Sequence, residues 1–218
     1  MTKQNIPNKA RAHIRYKLAD GTVVPGVTTI VGLLNKPALV PWANKMGLQG
    51  IDTSKYVDEM AQIGTLAHNM ILCYYKGEKP DLSDYTPNQI ELAENALLSY
   101  WAWEKQHVIE PIIVEDPLVS EVLRYGGTPD CYCLLDGTPT LLDFKTGKAI
   151  YREYFYQVAA YTYLLQERGF PVDNLRILRI GRDADEGFEE KVISNKDAYW
   201  HVFEHLLAIY NLEKEVKK

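Results

Sequence analysis

The sequence predicts an α/β fold in which a central mixed β-sheet is flanked by helices, with a helical elaboration at the N-terminal side. Three observations carry this. Residues up to about 107 read mostly as helical segments bounded by caps and glycine stops. From Val108 to Lys145 the pattern changes to short β-branched or aromatic-rich runs, cut by Pro117, Gly126-Gly127 and Asp136-Gly137. A helical stretch then separates these runs from two further strand-like ones and a last amphipathic helix.

In chain order, Asp20-Gly21 reads as the turn of a hairpin joining Ile14–Ala19 to Thr22–Pro25. Thr28 or Thr29 is the expected cap of a short helix through Leu34. Pro37 to Met46 reads as another helix, ending near Gly47. A long helix is expected from Ser54 to about Lys76, with Gly77 as its stop. Thr86-Pro87 pairs a capping hydroxyl with proline at the first helical position, opening a helix to about Gln106. Val108–Val114, Val119–Tyr125, Asp130–Leu135 and Thr140–Lys145 read as strands of a meander. A helix from about Glu153 to Arg168 is closed by Gly169-Phe170-Pro171. Leu175–Ile180 and Phe188–Ile193 are two more strands, and the last helix starts at Ser194 or Asn195. We read one domain of three parts: 1–107, a core at 108–193 and a C-terminal helix at 194–218.

Composition narrows the functional classes. The 218 residues contain no apolar run of the roughly 18 needed to span a bilayer, and the first residues lack the apolar stretch of a signal peptide. A soluble, cytoplasmic protein with no membrane partner is expected. Three cysteines without repeated Cys-x-x-Cys spacing argue against a disulfide framework, a zinc knuckle or an iron–sulfur cluster. Net charge is −5, yet the first nineteen residues carry Lys3, Lys9, Arg11, Arg15 and Lys17 and no acid. Arg11, His13, Arg15 and Lys17 alternate with apolar residues, giving a strand with one basic face. Such a face attracts a polyanion; it equally protects a solvated edge strand.

The chemistry is concentrated in Asp143-Phe144-Lys145. Alternation along a strand puts Asp143 and Lys145 on one face and Phe144 on the other, towards the core. Asp130 follows the stiff, closely approachable Gly126-Gly127-Thr128-Pro129 turn, and Asp143 could lie beside it across the sheet. Two carboxylates at one site repel, and a hard divalent cation relieves that repulsion. Gln157 and Tyr161, four apart on a helix, share a face, as do Gly64 and His68. Taken singly, each has a structural reading: a turn aspartate, a surface ion pair, a bystander histidine, a core tyrosine.

The ordered set Gly64-Thr65-Leu66-Ala67-His68, Gly127-Thr128-Pro129-Asp130, Asp143-Phe144-Lys145-Thr146-Gly147-Lys148 and Gln157-x-x-x-Tyr161 resembles the PD-(D/E)XK nuclease superfamily. More narrowly it is similar to the RecB-like exonuclease branch, which includes phage exonucleases and the mitochondrial genome-maintenance exonuclease. Pro25-Gly26-Val27-Thr28-Thr29-Ile30 and Leu39-Val40-Pro41-Trp42-Ala43 add to the likeness with phage members.

The resemblance implies a restriction-endonuclease-like core and one or two Mg²⁺ or Mn²⁺ ions. Their ligands would be His68, Asp130, Asp143 and the backbone carbonyl of Phe144, with Glu115 as a further metal or supporting group. Lys145 corresponds to the catalytic lysine; Gln157 and Tyr161 would orient it or reach a phosphate. Lys148 and Arg152, with Arg11, Arg15 and Lys17, are the candidate DNA contacts. The function implied is a metal-dependent DNA exonuclease acting in phage or bacterial recombination, repair or replication, with DNA as partner alongside recombination or replication proteins. The rivals are a nuclease-fold DNA-binding protein without catalysis and a restriction-type endonuclease.

Overall fold

A computed structural model describes residues 14–217; Arg11 and the basic positions before it lie outside the described residues. The helices are α1 (Val27–Val31), α2 (Leu39–Leu48), α3 (Thr53–Lys76), α4 (Pro87–Glu104), α5 (Arg152–Glu167) and α6 (Lys196–Val216). The strands are β1 (Ile109–Val114), β2 (Leu118–Ser120), β3 (Tyr125–Gly127), β4 (Cys131–Leu135), β5 (Thr138–Thr146), β6 (Asn174–Ile180) and β7 (Phe188–Ile193). Five strands form the central sheet in the order β1-β4-β5-β6-β7. The β5–β6 pair is parallel and the other three pairs are antiparallel, so the sheet is mixed as the sequence predicts.

Both faces of the sheet are covered, and alternation along β5 distributes its side chains between two cores. Leu141 packs with Val27, Val158, Leu164, Ile177, Trp200 and Phe203, the cluster beneath α1, α5 and α6. Leu142 and Phe144 join Leu66, Ile71, Ala96, Tyr100 and Leu178 beneath α3 and α4. Removing each such side chain from water stabilises the fold by about 1.5–3 kcal/mol. This double burial is the reason that Leu141-Leu142-Asp143-Phe144 reads as a nearly unbroken apolar run.

Local chemistry sets the ends of the helices that carry the site. Asp52 caps α3 by accepting from the backbone N–H groups of Ser54 and Lys55, and Gly77 ends it at φ +66°. Thr86 and Gln89 form a reciprocal capping box at α4, with Pro87 at the first helical position. The Asn195 side chain accepts from Ala198 N–H at α6.

The structure corrects several boundaries. Val119–Tyr125 is not one strand: Ser120 Oγ accepts from Leu123 N–H and Arg124 takes φ +57°, folding the stretch into a tight β2–β3 hairpin outside the main sheet. The opening hairpin is reduced to a single bridge, Lys17 to Val23. Helix α1 is capped by Gly26, whose carbonyl accepts from Thr29 and Ile30, so the two threonines lie inside the first turn. Gly47 sits within α2, and no residue of that helix is buried.

Candidate active site

The C-terminal end of β5 is where the sequence-predicted residues meet. Asp143 is completely buried there, with its Oδ2 2.5 Å from the Lys145 ammonium. That contact is an ion pair by distance but is poorly aligned for hydrogen bonding, and neither carboxylate oxygen has a hydrogen-bond partner. Burial lifts its pKa from 3.8 to about 6; the Lys145 charge opposes the rise and the Asp130 charge adds to it. A surface ion pair is therefore ruled out, and Asp143 belongs to the interior as much as Phe144 does.

Asp130 stands next to it. β4 and β5 are antiparallel with Cys131 opposite Leu142, which brings Asp130, just before β4, alongside Asp143. The Asp130 Oδ2 accepts from the Phe144 backbone N–H at 2.8 Å and lies 2.8 Å from His68 Nε2. His68 reaches it from α3, edge-on to Phe144 with ring centroids 5.8 Å apart. Gly64 makes that approach possible, since a Cβ there would stand 2.4 Å from Thr146 Oγ1 at the end of β5. Helix and strand touch where the side chain is missing.

From the other face of the sheet, α5 contributes Gln157 and Tyr161. Gln157 Nε2 donates to the Tyr161 hydroxyl at 2.8 Å. Burial, followed by the charges of Asp143 and Asp130, pushes the Tyr161 phenol well above its ordinary pKa, so it stays a neutral hydroxyl beside the two acids. Its ring lies against Gly127, where a Cβ would come within 2.5 Å of Tyr161 Cε1. The neighbouring Gly126 receives the ring of Tyr16, whose hydroxyl hydrogen-bonds Thr128 Oγ1 at 2.9 Å. The twin glycine, which lies in β3 and not in the turn that the sequence suggests, thus admits two aromatic rings beside the segment that delivers Asp130.

The outer positions divide. Glu115 is close through its backbone, its N–H donating to the Asp130 carbonyl at 3.0 Å, but its carboxylate pairs with Lys76 at 3.6 Å. Phe144 carries its carbonyl on the stretch of β5 paired with Leu178 of β6. Lys148 is exposed just after β5 and Arg152 at the first position of α5, and Arg15 and Lys17 are exposed on either side of Tyr16. Sequence reasoning assigned no role of their own to Tyr16, Thr128 or Arg179. Arg179 faces Lys145 in the β5–β6 register and donates to the Gly147 carbonyl at 3.3 Å, tying down the loop after the lysine. The Gly-Gly pair signalled that something packs closely on the turn; nothing local identified the partner as Tyr16.

The donor set suits a hard divalent cation: two adjacent carboxylates, one met by the Lys145 ammonium without an aligned hydrogen bond, and an imidazole within 2.8 Å of the other. Among the described residues no group of three or more His, Cys, Asp or Glu side chains is arranged as a ready metal cage. The observed pairings give the physical reason: Asp130 is turned onto His68 and Asp143 towards Lys145. A divalent ion held by these three side chains would require both pairings to open. Among the described residues no helix is long and apolar enough to cross a membrane.

No family model matches the chain, and no curated protein does. Among solved structures it is similar to a protein from Eubacterium rectale provisionally described as an exonuclease. That likeness has 15% identity and a TM-score of 0.49, covering 71% of this chain and 66%, just under two thirds, of that one. It is also similar to the alkaline exonuclease LHK-Exo of Laribacter hongkongensis, in two structures of which one is a complex with dAMP. There the identity is 14% and the TM-score 0.41, covering 69% of this chain and 78% of that one.

Proposed function

We propose that this chain is a divalent-metal-dependent deoxyribonuclease with exonuclease action, serving DNA recombination, repair or replication. One observation carries the reading. At the end of β5 a buried carboxylate without hydrogen bonds, Asp143, stands between a second carboxylate and the Lys145 ammonium. Burying such a charge is costly unless a cation or the chemistry uses it. The ordered motif set from His68 to Tyr161 supports the nuclease class.

Asp130, Asp143, His68 and the Phe144 carbonyl are the groups that would hold Mg²⁺ or Mn²⁺, which when bound supplies Lewis-acid activation at a phosphodiester. The chain's own residues do the rest. Lys145 places a positive charge where negative charge develops on the phosphate under attack. The Phe144 N–H holds Asp130 in one orientation. The Gln157 amide fixes the Tyr161 hydroxyl beside both carboxylates, where it can donate to a phosphate oxygen or to water. Exposed Lys148, Arg152, Arg15 and Lys17 supply backbone charge contacts.

Digestion of end-labelled single- and double-stranded DNA with Mg²⁺, Mn²⁺ or EDTA tests this. Cleavage is expected with either metal and not with EDTA. Asp143→Ala and Lys145→Ala are expected to lose about 100-fold or more while remaining folded. Undiminished Mg²⁺-dependent cleavage by both variants overturns the assignment, and circular single strands cut as fast as linear ones overturn the exonuclease part.

A further inference from the structure

Lys145 has a second partner. Its ammonium stands over the ring of Tyr154, 5.1 Å from the centroid, on a side chain only 16% exposed. Asp143 thus holds it by charge and Tyr154 by the negative face of its π-system. Tyr154 lies in the first turn of α5, on the row that continues to Gln157 and Tyr161 at spacings of three and four. The two aromatics that follow go elsewhere: Phe155 stacks on Tyr199 of α6 at 5.1 Å, and Tyr156 also meets Tyr199, at 6.1 Å. Of three consecutive aromatic residues, one is directed at the lysine.

The ring is itself held. Tyr151 meets it edge-on, with centroids 5.7 Å apart and planes at 77°. The adjacent Glu153 pairs with Lys36 at 2.7 Å, anchoring the start of α5 to the segment before α2. A lysine has a compact charge on a flexible stem and keeps no fixed direction from one partner alone. If Asp143 turns to a cation, its pull on Lys145 weakens; the ring remains.

We propose that Tyr154 is a positioning residue whose ring face holds the Lys145 ammonium at the reacting phosphate by a cation–π contact. The phenol oxygen plays no part in it. The catalytic consequence rests on the nuclease reading above, whereas the contact itself does not.

The test uses the full chain with Tyr154→Phe, Tyr154→Leu and a series of progressively fluorinated phenylalanines at position 154. Fluorination drains the ring's negative face while changing its size little. Tyr154→Phe is expected to restore most of the turnover that Tyr154→Leu loses. kcat should fall stepwise along the fluorinated series, by about tenfold at the trifluorinated ring, with KM for DNA unchanged. Without DNA or metal, the Lys145 ε-methylene protons should show an upfield ring-current shift in the wild type and Tyr154→Phe. That shift should diminish with fluorination and vanish in Tyr154→Leu. A kcat that is flat along the series, or no upfield shift in the wild type, overturns the positioning role. A wild type that cuts no DNA yet keeps the shift overturns the nuclease reading and supports the contact.

Discussion

Asp143 is the residue whose state most affects both stability and chemistry. Its folded pKa of about 6 exceeds the ordinary 3.8, so between these values the folded protein keeps a proton that the unfolded chain has lost. Stability therefore falls as pH rises through that window, and above pH 6 the full cost of the buried charge is present. Asp143→Asn removes that cost. In the absence of divalent metal the variant is expected to melt several degrees higher than the wild type at pH 8, an advantage that closes as pH falls below about 4. Equal melting temperatures at pH 8 would mean that Lys145 already compensates the charge in full. Asp130 differs because it is served: Phe144 N–H and His68 both meet its Oδ2. The two aspartates side by side thus differ in their surroundings, one ordered by an N–H and an imidazole and one paired with the Lys145 ammonium.

The elements around the site are held by close approach at glycines and by buried ion pairs. At Gly126 a Cβ would lie 2.3 Å from Tyr16 Cγ, and the Gly126 N–H donates to the Pro25 carbonyl. Gly126→Ala is expected to destabilise the protein by about 1–3 kcal/mol through overpacking. It should also undock the stretch around Tyr16, so trypsin cuts faster at Arg15 and Lys17 while helical circular dichroism is retained; unchanged proteolysis would count against that docking. The β6–β7 turn depends on Arg182, whose backbone N–H and guanidinium both donate to Glu186 and whose side chain is 8% exposed. The hydrogen bond from Arg182 holds the Glu186 carboxyl below its ordinary 4.5. Its stabilisation is present above that value and is lost as pH falls through the lowered pKa. The melting difference between wild type and Glu186→Gln should accordingly be largest near neutral pH and shrink towards pH 3. A difference that grows in acid would reverse the assignment.

At the scale of the whole molecule, the DNA substrate proposed above for a chain of net charge −5 would be met through local positive surface. Lys148 is exposed on the connection leading from Lys145 to α5 and Arg152 at the first position of that helix, and Arg15 and Lys17 flank the tyrosine that docks on Gly126. Removing Lys148 and Arg152 together is expected to weaken DNA binding uniformly across sequences. It should also reduce the slope of log affinity against log salt by about 0.7–0.9 for each phosphate that is no longer neutralised. An unchanged slope would place the DNA elsewhere.

The mixed α/β class, the caps of α4 and α6, the glycine stop of α3 and a short list of candidate residues for chemistry are legible in the chain alone, whereas the Asp52 cap of α3 lies two residues before the Ser54 start that the sequence suggests. These are local properties: caps, periodicity and residue type act within a few positions of one another. Alternation also placed Asp143 and Lys145 on one face of β5. It could not show that the opposite face and this one are both covered, because coverage depends on helices far apart in the chain, α3 (Thr53–Lys76) and α6 (Lys196–Val216). Nor could it place β2 and β3 outside the main sheet, where one left-handed residue, Arg124, makes the turn. Three facts emerge only once the chain is folded: Asp143 is buried without hydrogen bonds, Tyr16 fills the space at Gly126, and Tyr154, unlike the two aromatics after it, meets Lys145. Each depends on how separate segments come together, and such meetings are fixed by packing rather than by the residues on either side in sequence.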